Sequence, residues 1–185
     1  MRIIAGEFRG RVILPPSTDQ TRPITDRVKQ SLFDILTPVL SDAIVYDLFA
    51  GTGSLGLESL SRGARHATFF ESDRSAQSLL KKNIATLHLQ PRSTVISADL
   101  FTWFAGAKPA AQPADIVFLD PPYRFLTERA EDLQALGKQI AGHLSPHGHV
   151  IFRHDIRDGL EFPSLAQFDL RDYGSMRIEF LRARV

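Results

Sequence analysis

The sequence contains no cysteine, which excludes several kinds of chemistry at once. Without a thiol there is no disulfide framework, no thiolate metal site and no cysteine nucleophile. No run of about 18 consecutive apolar residues occurs, so we expect no membrane span. The first residues, MRIIAGEFRGR, lack the apolar stretch of a secretory signal, and the cytoplasm is therefore the expected compartment.

Positive and negative charges nearly balance, since 22 basic and 21 acidic residues give a net charge of +1. The first 30 residues nevertheless carry an excess of cations, with six basic residues against three acidic ones. Such a face can bind the phosphates of a nucleic acid, and a solvated loop is the alternative interpretation. The basic residues are Arg2, Arg9, Arg11, Arg22, Arg27 and Lys29.

Apolar residues make up 43% of the 185 residues, which is enough to form the core of one globular domain. Short apolar runs alternate with helical patterns, and this alternation predicts a mostly parallel α/β sheet with helices on both faces. The last two strands are joined by a short turn at Gly174, so they must form an antiparallel edge. The predicted strands are 44–49, 67–71, 94–97, 115–120, 148–154, 168–173 and 176–184, and the predicted helices include 26–36, 54–62, 76–87 and 127–144.

The N-terminal part is predicted to extend this Rossmann-like core. Two short apolar runs, about 2–5 and 11–14, are joined through glycines and predict a β-hairpin. We therefore expect a single domain over 1–185, in which residues 1–23 form a hairpin and loop extension to a core over 24–185. The first helix of the core is expected to end at Pro38, because proline lacks the N–H that continues a helix.

The most informative stretch is IVYDLFAGTGSLG, residues 44–56. An apolar strand leads to Asp47, and Gly51, Gly53 and Gly56 then allow a tight turn close to a ligand before a helix begins. The glycines match G-x-G-x-x-G, so a dinucleotide such as NAD must be weighed. Asp47 favours a cationic cofactor instead, because a carboxylate at the strand end would repel a pyrophosphate and attract the ammonium and sulfonium of S-adenosylmethionine.

Two further acids follow the second and third predicted strands, Glu71 and Asp99. Ligands of open α/β sheets bind at the carboxyl ends of the strands, where both acids would lie. Glu71 is suited to accept hydrogen bonds from two ribose hydroxyls, and Asp99 from an adenine amino group. A helix cap or a solvated loop is the alternative role for each acid. The chain neighbours that complete the predicted cofactor site are Phe49, Thr52, Ser72 and Leu100.

The fourth predicted strand ends in Asp120, Pro121, Pro122 and Tyr123. Tandem prolines fix the backbone, so the carboxylate and carbonyls near them form a rigid set of acceptors for an amine. Tyr123 offers a flat surface on which a base can stack. Because the lone pair of an exocyclic amine is delocalised into its ring, orientation and polarisation are the means by which such a corner would assist methylation. A simple strand-ending turn is the alternative.

Four segments together resemble the RsmD family of class I S-adenosylmethionine-dependent methyltransferases. They are RIIAGEFRGRVILPP, TRPITDRVKQSLFDIL, DLFAGTGSLGLESLSRGA and DPPY, and the resemblance covers nearly the whole chain. It implies methyl transfer to the N2 amine of a guanine in bacterial 16S ribosomal RNA. It also implies that Arg9, Arg11 and residues 22–29 contact RNA. One departure is Ile24, where the family usually has Thr, and Thr25 offers a hydroxyl one residue later.

The predicted RNA-binding residues are thus Arg9, Arg11, Arg22, Arg27 and Lys29, and Asp120 to Tyr123 are the predicted catalytic residues. The expected partner is 16S rRNA, either alone or in the assembled small ribosomal subunit, and we expect a monomer. The histidines lack the spacing of a metal site, so no metal is expected. Two alternatives stay open: an adenine-N6 DNA methyltransferase, and a non-catalytic RNA-binding or assembly factor on the same scaffold.

Overall fold

A computed structural model describes residues 1–15, 24–106 and 112–184 of the chain. Strands and helices alternate through most of it, as the sequence predicts. Within these ranges no helix combines the length and the apolar character needed to cross a bilayer. The elements are α1 (Asp26–Leu40), β1 (Ile44–Leu48), α2 (Ser54–Ser61), β2 (His66–Phe70), α3 (Arg74–Thr86), β3 (Ser93–Ile96), α4 (Leu100–Gly106), β4 (Ala114–Leu119), α5 (Phe125–Glu128), α6 (Ala130–Ala141), β5 (Leu144–Asp155), β6 (Leu165–Tyr173) and β7 (Met176–Ala183).

One seven-stranded sheet has the order β3-β2-β1-β4-β5-β7-β6. The first five strands pair in parallel, and β7 pairs antiparallel with both β5 and β6. The prediction of a mostly parallel sheet with an antiparallel edge is therefore confirmed. The order changes direction beside β1, so the loops that follow β1 and β4 are neighbours at the carboxyl ends of the strands.

Alternate residues of β1 point to opposite faces of the sheet, and each face has its own apolar layer. Val45 packs in the layer formed with α1, α2 and α3, whereas Ile44 and Tyr46 pack in the layer formed with α4, α5 and α6. Because both faces are covered, all five residues of β1 are buried. This burial fixes the central strand and therefore the position of the loop that follows it.

The N-terminal pairing is shorter than predicted. Residues 1–3 and 11–13 make backbone hydrogen bonds, including Ile3 N–H to the Arg11 carbonyl at 2.9 Å, but only the single antiparallel bridge between Arg2 and Val12 forms. Gly6 and Gly10, both at positive φ, close the turn between them. The extension is held to the core by α2, because the Glu58 carboxylate accepts the backbone N–H groups of residues 4 and 5.

Two helix boundaries differ from prediction. Pro38 lies inside α1, which continues to Leu40, because a proline in the last turn removes only one backbone hydrogen bond. The helix expected over 127–144 is instead two helices, with a break at Arg129 and β5 already beginning at Leu144. The start of α1 agrees with prediction, since the Thr25 hydroxyl accepts the Val28 N–H at 3.4 Å.

Candidate active site

A cavity of about 430 Å³ lies at the carboxyl ends of the parallel strands. The loops after β1, β2, β3 and β4 all contribute to its wall, which is the position expected for a ligand site in this kind of sheet. Eight of the predicted site residues line it: Phe49, Gly51, Glu71, Ser72, Asp99, Leu100, Asp120 and Pro122. The sheet therefore brings together residues that are up to 73 positions apart in the sequence, from Phe49 to Pro122.

The turn after β1 has an unusual backbone that depends on its glycines. Gly51 and Gly53 have φ values of 56° and 87°, and Phe49, which is not a glycine, has 59°. A positive φ is costly for a phenylalanine, and such strained positions are found most often at functional sites. A Cβ added at Gly51 would meet nothing within 4 Å, whereas one at Gly53 would lie 2.5 Å from a Leu80 methyl carbon. The turn is thus open toward the cavity at Gly51 and closely packed at Gly53.

Asp47 lies behind this turn rather than on the cavity wall. Its side chain is only 2% exposed and accepts the Gly56 N–H at 2.8 Å. Asp47 is not one of the described residues that line the cavity. Burial raises the pKa of Asp47 to about 8, although the hydrogen bond from Gly56 opposes the shift. The prediction that Asp47 faces an incoming cation directly is therefore wrong, because the turn folds over it. Thr52 and Gly53 are also buried behind the wall.

Glu71 connects the turn to the end of β2. One carboxylate oxygen accepts the Gly51 N–H at 2.7 Å, and the other accepts the Asp73 N–H at 2.8 Å. Asp73 in turn caps α3 by accepting the Ala76 N–H at 2.8 Å. Each carboxylate oxygen has a second lone pair, so Glu71 can still accept hydrogen bonds from a ligand in the cavity.

Asp99 directly precedes α4 and borders an aromatic part of the cavity wall. Hydrogen bonds from Thr102, chiefly from its backbone N–H at 2.9 Å, hold the pKa of Asp99 below its usual value. Arg129 lies nearby, with its guanidinium 3.8 Å from the centre of the Phe101 ring. Phe101 and Phe125 pack against Phe49, with ring centres about 6 Å apart. Together these edge-to-face rings give the cavity an apolar aromatic side next to its carboxylates.

At the end of β4, the Asp120 carboxylate forms a two-point ion pair with Arg153 of β5. The Arg153 Nε donates to one oxygen and Nη2 donates to the other, each at 2.7 Å. Burial opposes the charge on Arg153, but the Asp120 carboxylate outweighs it and the pKa of Arg153 is raised. Pro121 is buried and Tyr123 is half-buried. Neither Pro121 nor Tyr123 is among the described residues that line the cavity. Tyr123 interacts electrostatically with Arg153.

The predicted RNA-binding residues are placed unequally. Arg9, Arg11 and Arg27 are exposed, and Arg22 lies outside the described residues. The prediction that Lys29 contacts RNA is wrong, because its side chain is 1% exposed and its ammonium donates to the Arg2 carbonyl at 2.7 Å. That ammonium also lies 3.5 Å from Glu58, with which it forms a buried ion pair. Lys29 therefore fastens the extension to the core.

Sequence reasoning did not find Arg153, Arg129 or Phe101 as parts of this region. Arg153 had the clearest signal, because it is a single cation that follows the apolar run of the fifth strand, beside the strand that ends in Asp120. A charge in a buried strand usually has a partner, and the sheet order needed to name the partner comes only from the structure.

The fold and the cavity define a class of proteins, the α/β methyltransferases. A solved structure described as a putative methyltransferase, yhhF of Escherichia coli, matches with a TM-score of 0.84 and 32% identity, and covers 100% of this chain and 98% of that one. The family model described as "Conserved hypothetical protein 95" matches residues 1–182. The chain belongs to this family, and the predicted RsmD resemblance is confirmed.

Two curated relatives carry the same name, ribosomal RNA small subunit methyltransferase D. The one from Escherichia coli strain K12 is 44% identical over 124 residues, which is 67% of this chain and 61% of that protein. The one from Haemophilus influenzae is 43% identical over 136 residues, which is 72% of this chain and 69% of that protein. The match thus spans less than two thirds of the Escherichia coli relative's length.

Proposed function

We propose that this protein transfers a methyl group from S-adenosylmethionine to the exocyclic N2 amine of a guanine in 16S rRNA. One observation carries the proposal: a single cavity joins the glycine turn and the acids of β2 and β3 to the Asp120 corner of β4. A donor site and an acceptor site are then adjacent, as group transfer requires. The names of the curated relatives support ribosomal RNA as the substrate.

The residues of the cavity fit S-adenosylmethionine. Glu71, already held by two backbone N–H groups, has lone pairs left for the ribose hydroxyls. Asp99 is proposed to accept from the adenine amino group, and the rings of Phe49, Phe101 and Phe125 suit the flat face of adenine. Gly51 adds no side chain where the cofactor approaches. When bound, S-adenosylmethionine supplies an electrophilic methyl group.

At the other side of the cavity, Asp120 accepts an N–H of the target amine and so orients its nitrogen. Pro121 and Pro122 keep the backbone of this corner rigid, and the carbonyl of Asp120 or Pro121 is a further candidate acceptor. Tyr123 is proposed to stack on the base at this corner. Because the amine is a weak nucleophile, these residues act by placing and polarising it, and the base must leave its stack to reach them.

The exposed cations of the N-terminal part are proposed to hold the RNA backbone. Arg9 and Arg11 lie on the extension and Arg27 lies at the start of α1, and all three side chains are available to phosphates. Ribosomal RNA is the proposed partner, presented by the small ribosomal subunit, which implies a cytoplasmic location. The proposal includes action as a monomer, without a metal ion, on a single domain in which residues 1–23 extend the core.

The test measures transfer of labelled methyl groups from S-adenosylmethionine to a substrate isolated from a strain without the enzyme. The substrate is either the small ribosomal subunit or 16S rRNA alone. We expect N2-methylguanine as the product. Asp120→Ala should remove most of the activity and leave the affinity for S-adenosylmethionine within about threefold. Asp172→Ala is the matched control, because Asp172 also forms a two-point pair, with Arg177, but lies outside the cavity. Equal loss of activity and cofactor affinity in Asp120→Ala would assign Asp120 to the cofactor instead.

A further inference from the structure

We propose that Arg153 is a positioning residue for methyl transfer, which holds the Asp120 carboxylate in the orientation that receives the target amine. The inference rests on the function proposed above and adds a residue that lies outside the DPPY segment. It is drawn from the two-point contact between the two side chains and from their burial beside the cavity.

The sheet places the two residues side by side. Leu119, the last residue of β4, is the register partner of Phe152 in the parallel strand β5. Asp120 and Arg153 are each one residue further along, so their side chains meet where β4 ends. Asp120, the first residue after β4 and the start of the rigid proline turn, therefore contacts Arg153.

The contact fixes an orientation and does more than neutralise charge. The planar guanidinium donates from Nε and Nη2 to the two different oxygens of Asp120, each at 2.7 Å. Such a two-point contact holds the carboxylate against rotation, which a single contact from an ammonium would not do. Each oxygen keeps a second lone pair for another donor, and Asp120 lines the cavity.

Burial makes this arrangement persistent. The Arg153 side chain is 8% exposed and the Asp120 side chain 19% exposed, so water competes weakly for either group. The third nitrogen of Arg153, Nη1, lies 4.0 Å from the Met176 sulfur on the neighbouring strand β7. Arg153 is thus held by its own surroundings, and Asp120 is held by Arg153. An acceptor that is fixed before the amine arrives needs no reorganisation during the reaction.

The experiment compares kcat, KM and cofactor binding in Arg153→Met, Arg153→Lys and the wild type. We expect kcat to fall about 100-fold in the Met variant, since small misplacements of a reacting group have effects of this size. The Lys variant, which keeps the charge but makes only one contact, should fall about 10-fold. Affinity for S-adenosylmethionine should stay within about threefold in both. The control is Arg177→Met, which removes a two-point pair with Asp172 outside the cavity and should keep the wild-type kcat.

A double-mutant cycle separates this role from a general structural one. If Arg153 acts through Asp120, adding Arg153→Met to Asp120→Ala should lower kcat by less than about threefold further. A Met variant that folds and keeps kcat within about threefold of the wild type would overturn the inference, as would equal effects of Arg153→Met with and without Asp120. If the Met variant does not fold, wild-type kcat in the Lys variant overturns it. A wild-type protein without methyl transfer contradicts the proposed function and this inference together.

Discussion

Glu58 is the residue whose loss should weaken the attachment of the N-terminal extension most clearly. Its carboxylate is fully buried and accepts three hydrogen bonds, from the Ile4 N–H at 2.8 Å, the Ala5 N–H at 3.0 Å and the Arg62 Nε at 2.8 Å. The Lys29 ammonium lies 3.5 Å away. Burial lowers the pKa of Lys29, and the nearby Glu58 carboxylate opposes that shift. Glu58→Gln keeps the size of the side chain and removes its charge.

The expected cost follows from these contacts. Removing one member of a buried ion pair leaves the other charge uncompensated, which costs about 3–5 kcal/mol of unfolding free energy. For a chain of this length such a loss lowers Tm by roughly 6–20 °C. The control is Asp42→Asn, which removes an ion pair with Arg65 whose side chains are 66% and 57% exposed. Because water screens that exposed pair, its loss should change the unfolding free energy far less than Glu58→Gln does.

The assay is urea denaturation followed by circular dichroism, with thermal melting as a second measurement of each variant. Limited proteolysis should also cut the Glu58→Gln variant earlier near its N-terminus, because an NH2 group replaces one of the two oxygens that accept the N–H groups of residues 4 and 5. Two results would contradict a large contribution from the buried Lys29–Glu58 pair. One is a loss of unfolding free energy below about 1 kcal/mol in Glu58→Gln, and the other is an equal loss in Asp42→Asn.

Three other predictions concern the cofactor turn and the RNA face. Gly53→Ala should lower the unfolding free energy by at least about 1 kcal/mol and weaken cofactor binding in a titration, because φ at Gly53 is 87°. Gly159→Ala is the control: a Cβ added at Gly159 meets nothing within 4 Å, so neither the unfolding free energy nor cofactor binding should change. Burial raises the pKa of Asp47 to about 8, so ionisation of this carboxyl opposes folding. As pH rises from about 4 to 8, the unfolding free energy of the wild type should fall relative to that of Asp47→Asn by up to about 1.4 kcal/mol per pH unit. Unfolding free energies that change equally with pH in the two proteins would contradict this. Arg11→Gln should lower the slope of RNA affinity against salt concentration by the amount expected for about one phosphate contact. Lys138→Gln removes an exposed cation of α6, which is not part of the proposed RNA face, and should leave this slope unchanged.

The features predicted well are those that depend on local sequence. The strand 44–48 was evident from its apolar residues and the glycine turn after it, since both are dictated by neighbours in the chain. The antiparallel edge followed from the short connection at Gly174, which leaves no room for a crossover. The cavity at the strand ends followed in turn from the alternation of strands and helices.

The features predicted poorly depend on which distant residues meet. Lys29 appeared as one of several cations near the N-terminus, and only packing against α2 turns it into a buried partner of Glu58. The sequence predicts that Asp47 faces the cofactor, but the turn that follows Asp47 folds back over its side chain. Arg153 had no assigned role, because its partner lies 33 positions earlier in a neighbouring strand. For Lys29 and Arg153 the partner is set by tertiary structure, whereas for Asp47 the deciding feature is the path of the turn between it and Gly56.

Methyl transfer to guanine N2 in 16S rRNA can be measured by mapping the methylated nucleosides of that RNA by mass spectrometry. The comparison is between a strain that carries the gene, the same strain without it, and the deletion strain complemented with the wild type or with Asp120→Ala. We expect one N2-methylguanine to disappear on deletion, to return with the wild type and to stay absent or strongly reduced with the variant. An unchanged set of N2-methylguanines in the deletion strain would contradict it.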